Sequence, residues 1–116
     1  RNRQQRIGQL DEQLQRIQQE IRRISQSVYR PEYGIVGSHI YHYWQGEDEL
    51  HNLLYRREDV LLEMLDVLGA QINHYGDLLG YLGNKPAFKP LSDKLVSQLE
   101  DAQEKFNQSE SLLYVP

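Results

Sequence analysis

From Ile7 the chain places an apolar side chain at Ile7, Leu10, Leu14, Ile17, Ile21, Ile24 and Val28, in steps of three and four without a miss. That spacing keeps all seven on one narrow stripe of an α-helix, the seam of a coiled coil. The residues between them are almost all Gln, Arg, Asp, Glu or Ser, which favour or tolerate helix, apart from Gly8 near the start. The pattern predicts a first helix over about residues 3–29. A seam of two positions in seven buries one side only. It therefore fits two roles equally, a packing helix of a bundle or a helix that docks on a partner.

Arg30-Pro31 should stop or kink this helix, because proline lacks the backbone donor and biases the preceding residue away from helical angles. A connector is expected over residues 30–46, with Ser38 as a candidate cap for a short turn through His39 to Tyr43. A small hairpin, Ile35-Val36 turning at Gly37-Ser38 into His39-Ile40, is the alternative. The connector gathers Tyr29, Tyr33, Tyr41, Tyr43 and Trp44, so that Tyr43-Trp44-Gln45-Gly46 reads as an apex.

After Gly46, the acidic residues Glu47, Asp48 and Glu49 suit the positive end of a helix dipole and predict a second helix over about residues 47–83. Its stripe is Leu50, Leu54, Leu61, Leu65, Leu68, Ile72, Tyr75, Leu79 and Leu82. Between Val60 and Leu68 only Glu63 and Asp66 are polar, so this stretch must be covered from more than one side. Gly69, Gly76, Gly80 and Gly83 each cost a helix about 1 kcal/mol relative to alanine. They predict either a face open to close approach by another helix or a break near Gly76. A turn over residues 84–91 leads to a third helix over about 92–113, capped by Ser92 and with Leu95, Leu99, Ala102, Phe106 and Leu113 on its seam. Run back antiparallel, it brings Leu112 and Leu113 to the level of Leu61, where helix 1 would bring Ile24 and Val28. The expected fold is all-α: an antiparallel helical hairpin with a Trp-x-Gly apex, extended to a single three-helix bundle or coiled coil.

Charge modifies this picture. Residues 1–30 carry seven arginines against Asp11, Glu12 and Glu20, whereas residues 31–116 carry six basic and fourteen acidic side chains, leaving a net −4. The arginines are diluted by eight glutamines, with no lysine and no aromatic among them before Tyr29. That favours an arginine-bearing helix packed on acidic helices over a nucleic-acid arm. No apolar run reaches the roughly 18–20 residues of a membrane span.

Chemistry is sparse. The chain has no cysteine, which excludes disulfides and thiolate chemistry. His39 and His42, with Glu47, Asp48 and His51, fall short of the paired Glu-x-x-His set of a di-iron bundle, and hydrogen bonding is the expected role of these histidines. Neither a nucleophile elbow nor a phosphate-binding glycine loop is present. The expectation is a non-enzymatic protein that binds no cofactor or metal and no small-molecule substrate.

Trp44-Gln45-Gly46 between two long helical patterns resembles the WXG superfamily of small helical type VII secretion proteins, over roughly residues 5–83. In that family the tryptophan and glycine shape the turn of a helical hairpin, and some members or relatives escort larger LXG-type toxins. The resemblance implies an accessory, chaperone-like partner of a toxin's helical domain, alone or with a second small helical protein. Such a protein would be cytoplasmic or exported in complex. The seam residues Leu10, Leu14, Ile17, Ile21 and Ile24, with Gly69, Gly76 and Gly80, would bind the partner, and Tyr43, Trp44 and Gly46 would form the apex. The family's Tyr-x-x-x-Asp export signal has no C-terminal counterpart. Phe106-x-x-x-Glu110 only approximates it, and Tyr55-x-x-x-Asp59 has the letters but lies near the apex. Self-association through helix 1 is the alternative, and nucleic-acid binding by its arginines a weaker one.

Overall fold

The computed structural model describes the backbone of residues 2–28 and 37–114 and the side chains of residues 2–25 and 48–114. The chain is all-α, with no strand among the described residues. Helix α1 spans Asn2–Val28, α2 Gly37–Leu82 and α3 Lys89–Leu113, with a short 3-10 helix at Pro86–Phe88.

Two boundaries differ from expectation. Helix α2 starts at Gly37 rather than near residue 47. The expected apex Tyr43-Trp44-Gln45-Gly46 therefore has helical backbone, and the alternative hairpin through His39-Ile40 does not form. The reason is visible in the spacing: Ile40 and Tyr43 extend the series of Leu50 and Leu54 backwards in steps of three and four, with Glu47 between. Continued periodicity outweighs the cost of one internal glycine, about 1 kcal/mol. The Arg30-Pro31 break lies outside the described residues. Helix α3 begins at Lys89, three residues ahead of Ser92, and no side chain caps it. Pro90 sits in its first turn, where a missing N–H costs nothing because that donor has no intrahelical partner.

Helix α2 is unbroken through Gly76 and ends at Leu82, with Gly83 at φ +61° donating its N–H to the Leu79 carbonyl at 3.0 Å. A left-handed residue here lets the chain leave the helix while satisfying a terminal carbonyl, and glycine does so without strain. The 3-10 helix follows, held by the Phe88 N–H donating to the Lys85 carbonyl.

The chain divides into two compact units, Asp11–Val60 and Arg1–Leu10 with Leu61–Pro116. In the first, the α1 segment buries Leu14, Ile17 and Ile24, and the α2 segment half-buries Leu50, Leu53, Leu54 and Arg57 before reaching buried Val60. This one-sided pattern is what two paired helical segments require.

In the second unit three helical segments meet. Ile7 of α1, Leu68 of α2 and Ala102 of α3 form one buried cluster, with Val67, Ile72, Tyr75 and Phe106 packed on it. Leu10, Leu61 and Met64 are also fully buried. Between Leu61 and Gln71 most positions of α2 are buried or half-buried, so this stretch is covered on both sides. Beyond Gln71 only Ile72, Tyr75, Leu79 and Leu82 are covered even in part, again a single stripe.

The pairing of α1 with α2 differs from the expected register. Ile7 packs in the cluster of Leu68 and Gln4 bonds to Gln71, while Ile24 shares a groove with Leu53 rather than standing level with Leu61. The displacement is about ten residues along α2, matching its earlier start at Gly37. Helix α3 lies beside α2 with the Phe106 ring 3.9 Å from where a Cβ on Gly69 would stand.

Candidate functional site

The residues expected to bind a partner fall into two groups. Leu10, Leu14, Ile17 and Ile24 are buried within this chain, and Ile21 is half-buried. The α1 seam is thus consumed internally. Outside the seam, residues 2–25 of α1 carry no apolar side chain larger than glycine, which makes the outer face a polar surface. Of the two roles open to this seam, intramolecular packing is the one the fold uses.

The glycines divide differently. A Cβ on Gly69 would make ordinary contact with Phe106, so that glycine already lies against α3. Gly76 and Gly80 are exposed, and a Cβ on either would meet nothing within 4 Å. Neither has a positive φ, since Gly83 alone does among the described residues. Their backbone is helical, and the space beside it is open.

The remaining expected positions are scattered. Tyr55 is 68% exposed and Asp59, one turn on, is exposed too. Phe106 belongs to the core whereas Glu110 is exposed, so that pair does not form a surface motif. The side chains of Tyr43 and Trp44, and those of His39, His42 and Glu47, lie outside the described residues. Asp48 and His51 are exposed, and among the described residues no three His, Cys, Asp or Glu converge as metal ligands.

Several α1 arginines are paired. Arg6 clasps Glu63 side-on, its Nη2 donating to Oε1 at 2.8 Å and its Nε to Oε2. This clasp holds the Glu63 carboxyl below the usual carboxylate range and raises the Arg6 guanidinium. Arg23 donates to Glu20 at 2.9 Å, and Arg16 lies 3.8 Å from Glu12. Partner acids on the same or a neighbouring helix offset the charge that a phosphate backbone would need.

Two features were not foreseen. Gln71 is buried, its Nε2 donating to Gln4 Oε1 at 2.8 Å and to Tyr75 Oη at 2.9 Å. Met64, one turn before Leu68, is among the most deeply buried side chains although it stood off the expected stripe. The width of the apolar arc at Val60–Leu68 was the signal for Met64; for Gln71 there was none, since an isolated glutamine in a helix is ordinarily solvated. A shallow groove of about 240 Å³ lies between α1 and α2, lined by Glu20, Ile24, Glu49, Asn52, Leu53 and Arg56.

Among the described residues no helix is long and apolar enough to cross a membrane. No family model, no curated protein and no solved structure matches the chain.

Proposed function

We propose that this chain is a non-enzymatic helical binding protein, an accessory partner for the helical domain of a type VII secreted toxin, as the resemblance of its Trp44-Gln45-Gly46 motif to the WXG superfamily implies. The motif here lies within α2 and not at a turn. The observation that carries the binding role is the pair Gly76 and Gly80. Each weakens α2 by about 1 kcal/mol relative to alanine. Neither is compensated inside the chain, because nothing packs beside them and neither adopts a backbone conformation reserved for glycine. A helix of the partner lying across this face would approach the α2 backbone closely, and only glycine permits that contact. The α1 seam stays in the core.

The test is co-expression with the helical targeting domain of an LXG-type toxin, followed by co-purification. Wild type should emerge as a stoichiometric complex, and Gly76→Leu with Gly80→Leu should abolish it while the free chain keeps its helicity. A complex unaffected by the double substitution removes this face from the interface. Failure to pair with any such domain ends the proposed role.

A further inference from the structure

The connection between α2 and α3 has a composition found nowhere else in the chain. All nine residues from Gly83 to Leu91 are exposed, and from Leu78 to Ser92 there is no acidic residue. Two of the four lysines in the protein, Lys85 and Lys89, lie here, and a third, Lys94, follows just beyond it in α3. Interleaved with them are three exposed apolar side chains: Tyr81 at 86%, Leu91 at 47% and Phe88 at 40%. Lys89 reaches Asp93 at 3.2 Å, an exposed pair that leaves the local charge positive.

The backbone of this segment is set by local constraints. Gly83 ends α2 in the left-handed conformation, Pro86 opens the 3-10 helix and Pro90 lies in the first turn of α3. Phe88 and Leu91 therefore stand out from a turn built on fixed φ angles, so little chain entropy is lost if they enter an apolar phase. Of the acids of α3 only Asp93 lies near the turn, where it pairs with Lys89, and Glu100, Asp101, Glu104 and Glu110 lie from the middle of the helix onwards.

We infer that the α2–α3 turn is a peripheral membrane contact, in which Phe88, Leu91 and Tyr81 enter the interface of an anionic bilayer and Lys85, Lys89 and Lys94 face its headgroups. Charge selects the occupant: this lysine-rimmed tip, in residues 31–116 that otherwise carry mostly acids, is attracted to a negative surface. Size and shape favour a lipid surface over a protein. The three apolar side chains expose roughly 350 Å², less than the roughly 450 Å² of apolar area on one side of a standard protein interface. A turn also projects outward, and a bilayer accepts a projecting amphipathic tip without a matching groove.

The experiment is co-sedimentation of the whole chain with phosphatidylcholine vesicles, with and without phosphatidylserine, at low and high salt. The chain has no cysteine, so Asn84→Cys provides a unique site for an environment-sensitive fluorophore. Binding is expected only to the phosphatidylserine vesicles, with a blue-shifted label and loss of binding at high salt. Each lysine contributes about fivefold, so Lys85→Gln, Lys89→Gln and Lys94→Gln together should lower the partition about a hundredfold. Because all three are exposed, the far-UV spectrum should be unchanged, and a second variant, Phe88→Ser with Leu91→Ser, should lose the blue shift. Absence of binding at low salt, binding undiminished by the lysine substitutions, or sedimentation with an unshifted label would each overturn the inference. So would tighter binding to an acidic amphipathic peptide, which would assign the tip to a protein ligand. Each of these results is distinct from the toxin-pairing test, which reads substitutions at Gly76 and Gly80.

Discussion

Alanine substitution of the glycines of α2 should separate the reasons each is there, and the sign of the effect differs from site to site. Gly76 lies in the helix interior with open space where a Cβ would go, so Gly76→Ala should stabilise the chain by about 0.8–1 kcal/mol, the propensity difference alone. Gly80 stands within the last turn before Leu82, where fraying dilutes the gain, so about 0.5 kcal/mol is expected there. Gly69→Ala also gains, because its new methyl would meet Phe106 Cε2 at 3.9 Å, an ordinary contact. Gly83→Ala must go the other way. Its φ of +61° forces an L side chain into the left-handed region, at a cost of about 1–2 kcal/mol. Urea unfolding followed by circular dichroism reads all four, and the Gly76 and Gly80 double variant should raise the melting temperature by several degrees. Loss of stability in Gly76→Ala would refute the reasoning, since it would mean that α2 is broken there or that its glycine face is packed within the chain. The same substitution should weaken partner binding while it strengthens the fold, an opposition that a purely structural glycine cannot produce.

Two further outcomes test the core and its surface clasp. Leu68→Ala removes a fully buried side chain from the three-helix cluster and should cost about 3 kcal/mol, the transfer of its lost methylenes plus a partly relaxed cavity. Leu62→Ala, at a half-exposed position on the same helix, should cost under about 1 kcal/mol by the same unfolding measurement, and equal losses would place α2 in the wrong rotation. The Arg6–Glu63 clasp predicts a pH dependence. Glu63 titrates lower in the folded chain than in the unfolded one, so its contribution is complete above the unfolded carboxylate pKa and fades as pH falls through the depressed folded value. Wild type and Glu63→Gln, compared across mildly to strongly acidic buffers, should therefore converge in stability at the acid end. A gap that widens instead would exclude the clasp.

Much of this architecture was legible before any coordinates. The 3-4-3-4 series from Ile7 to Val28 gave α1, and the apolar circumference of Val60–Leu68 required neighbours on two sides, which Ile7 and Ala102 provide. What could not be read was the competition between local breakers and continuing periodicity. Gly37 and Gly46 look like punctuation, yet Ile40 and Tyr43 prolong the series of Leu50, and α2 runs through both glycines from its first residue. That extension is about ten residues long, and the pairing with α1 is displaced along α2 by about the same length. The use of the seam was equally hidden: Leu14 or Ile17 looks identical in sequence whether it meets its own chain or another. At the candidate site the sequence marked Gly76 and Gly80 but not their openness, which depends on where α1 and α3 stop covering α2.

A heptad seam has a weakness that its regularity creates. Sliding α1 by seven residues would put Leu14 where Ile7 sits, Ile17 where Leu10 sits and Ile21 where Leu14 sits, so that over these positions the apolar match is kept. Hydrophobic burial alone hardly tells the two alignments apart. The slide would, however, bring Gln13 to Glu63 in place of Arg6, and Asp11 to Gln71 in place of Gln4. One exchange dissolves the guanidinium clasp; the other sets a carboxylate against a buried amide. These two polar contacts act as an address that the repeating leucines and isoleucines lack.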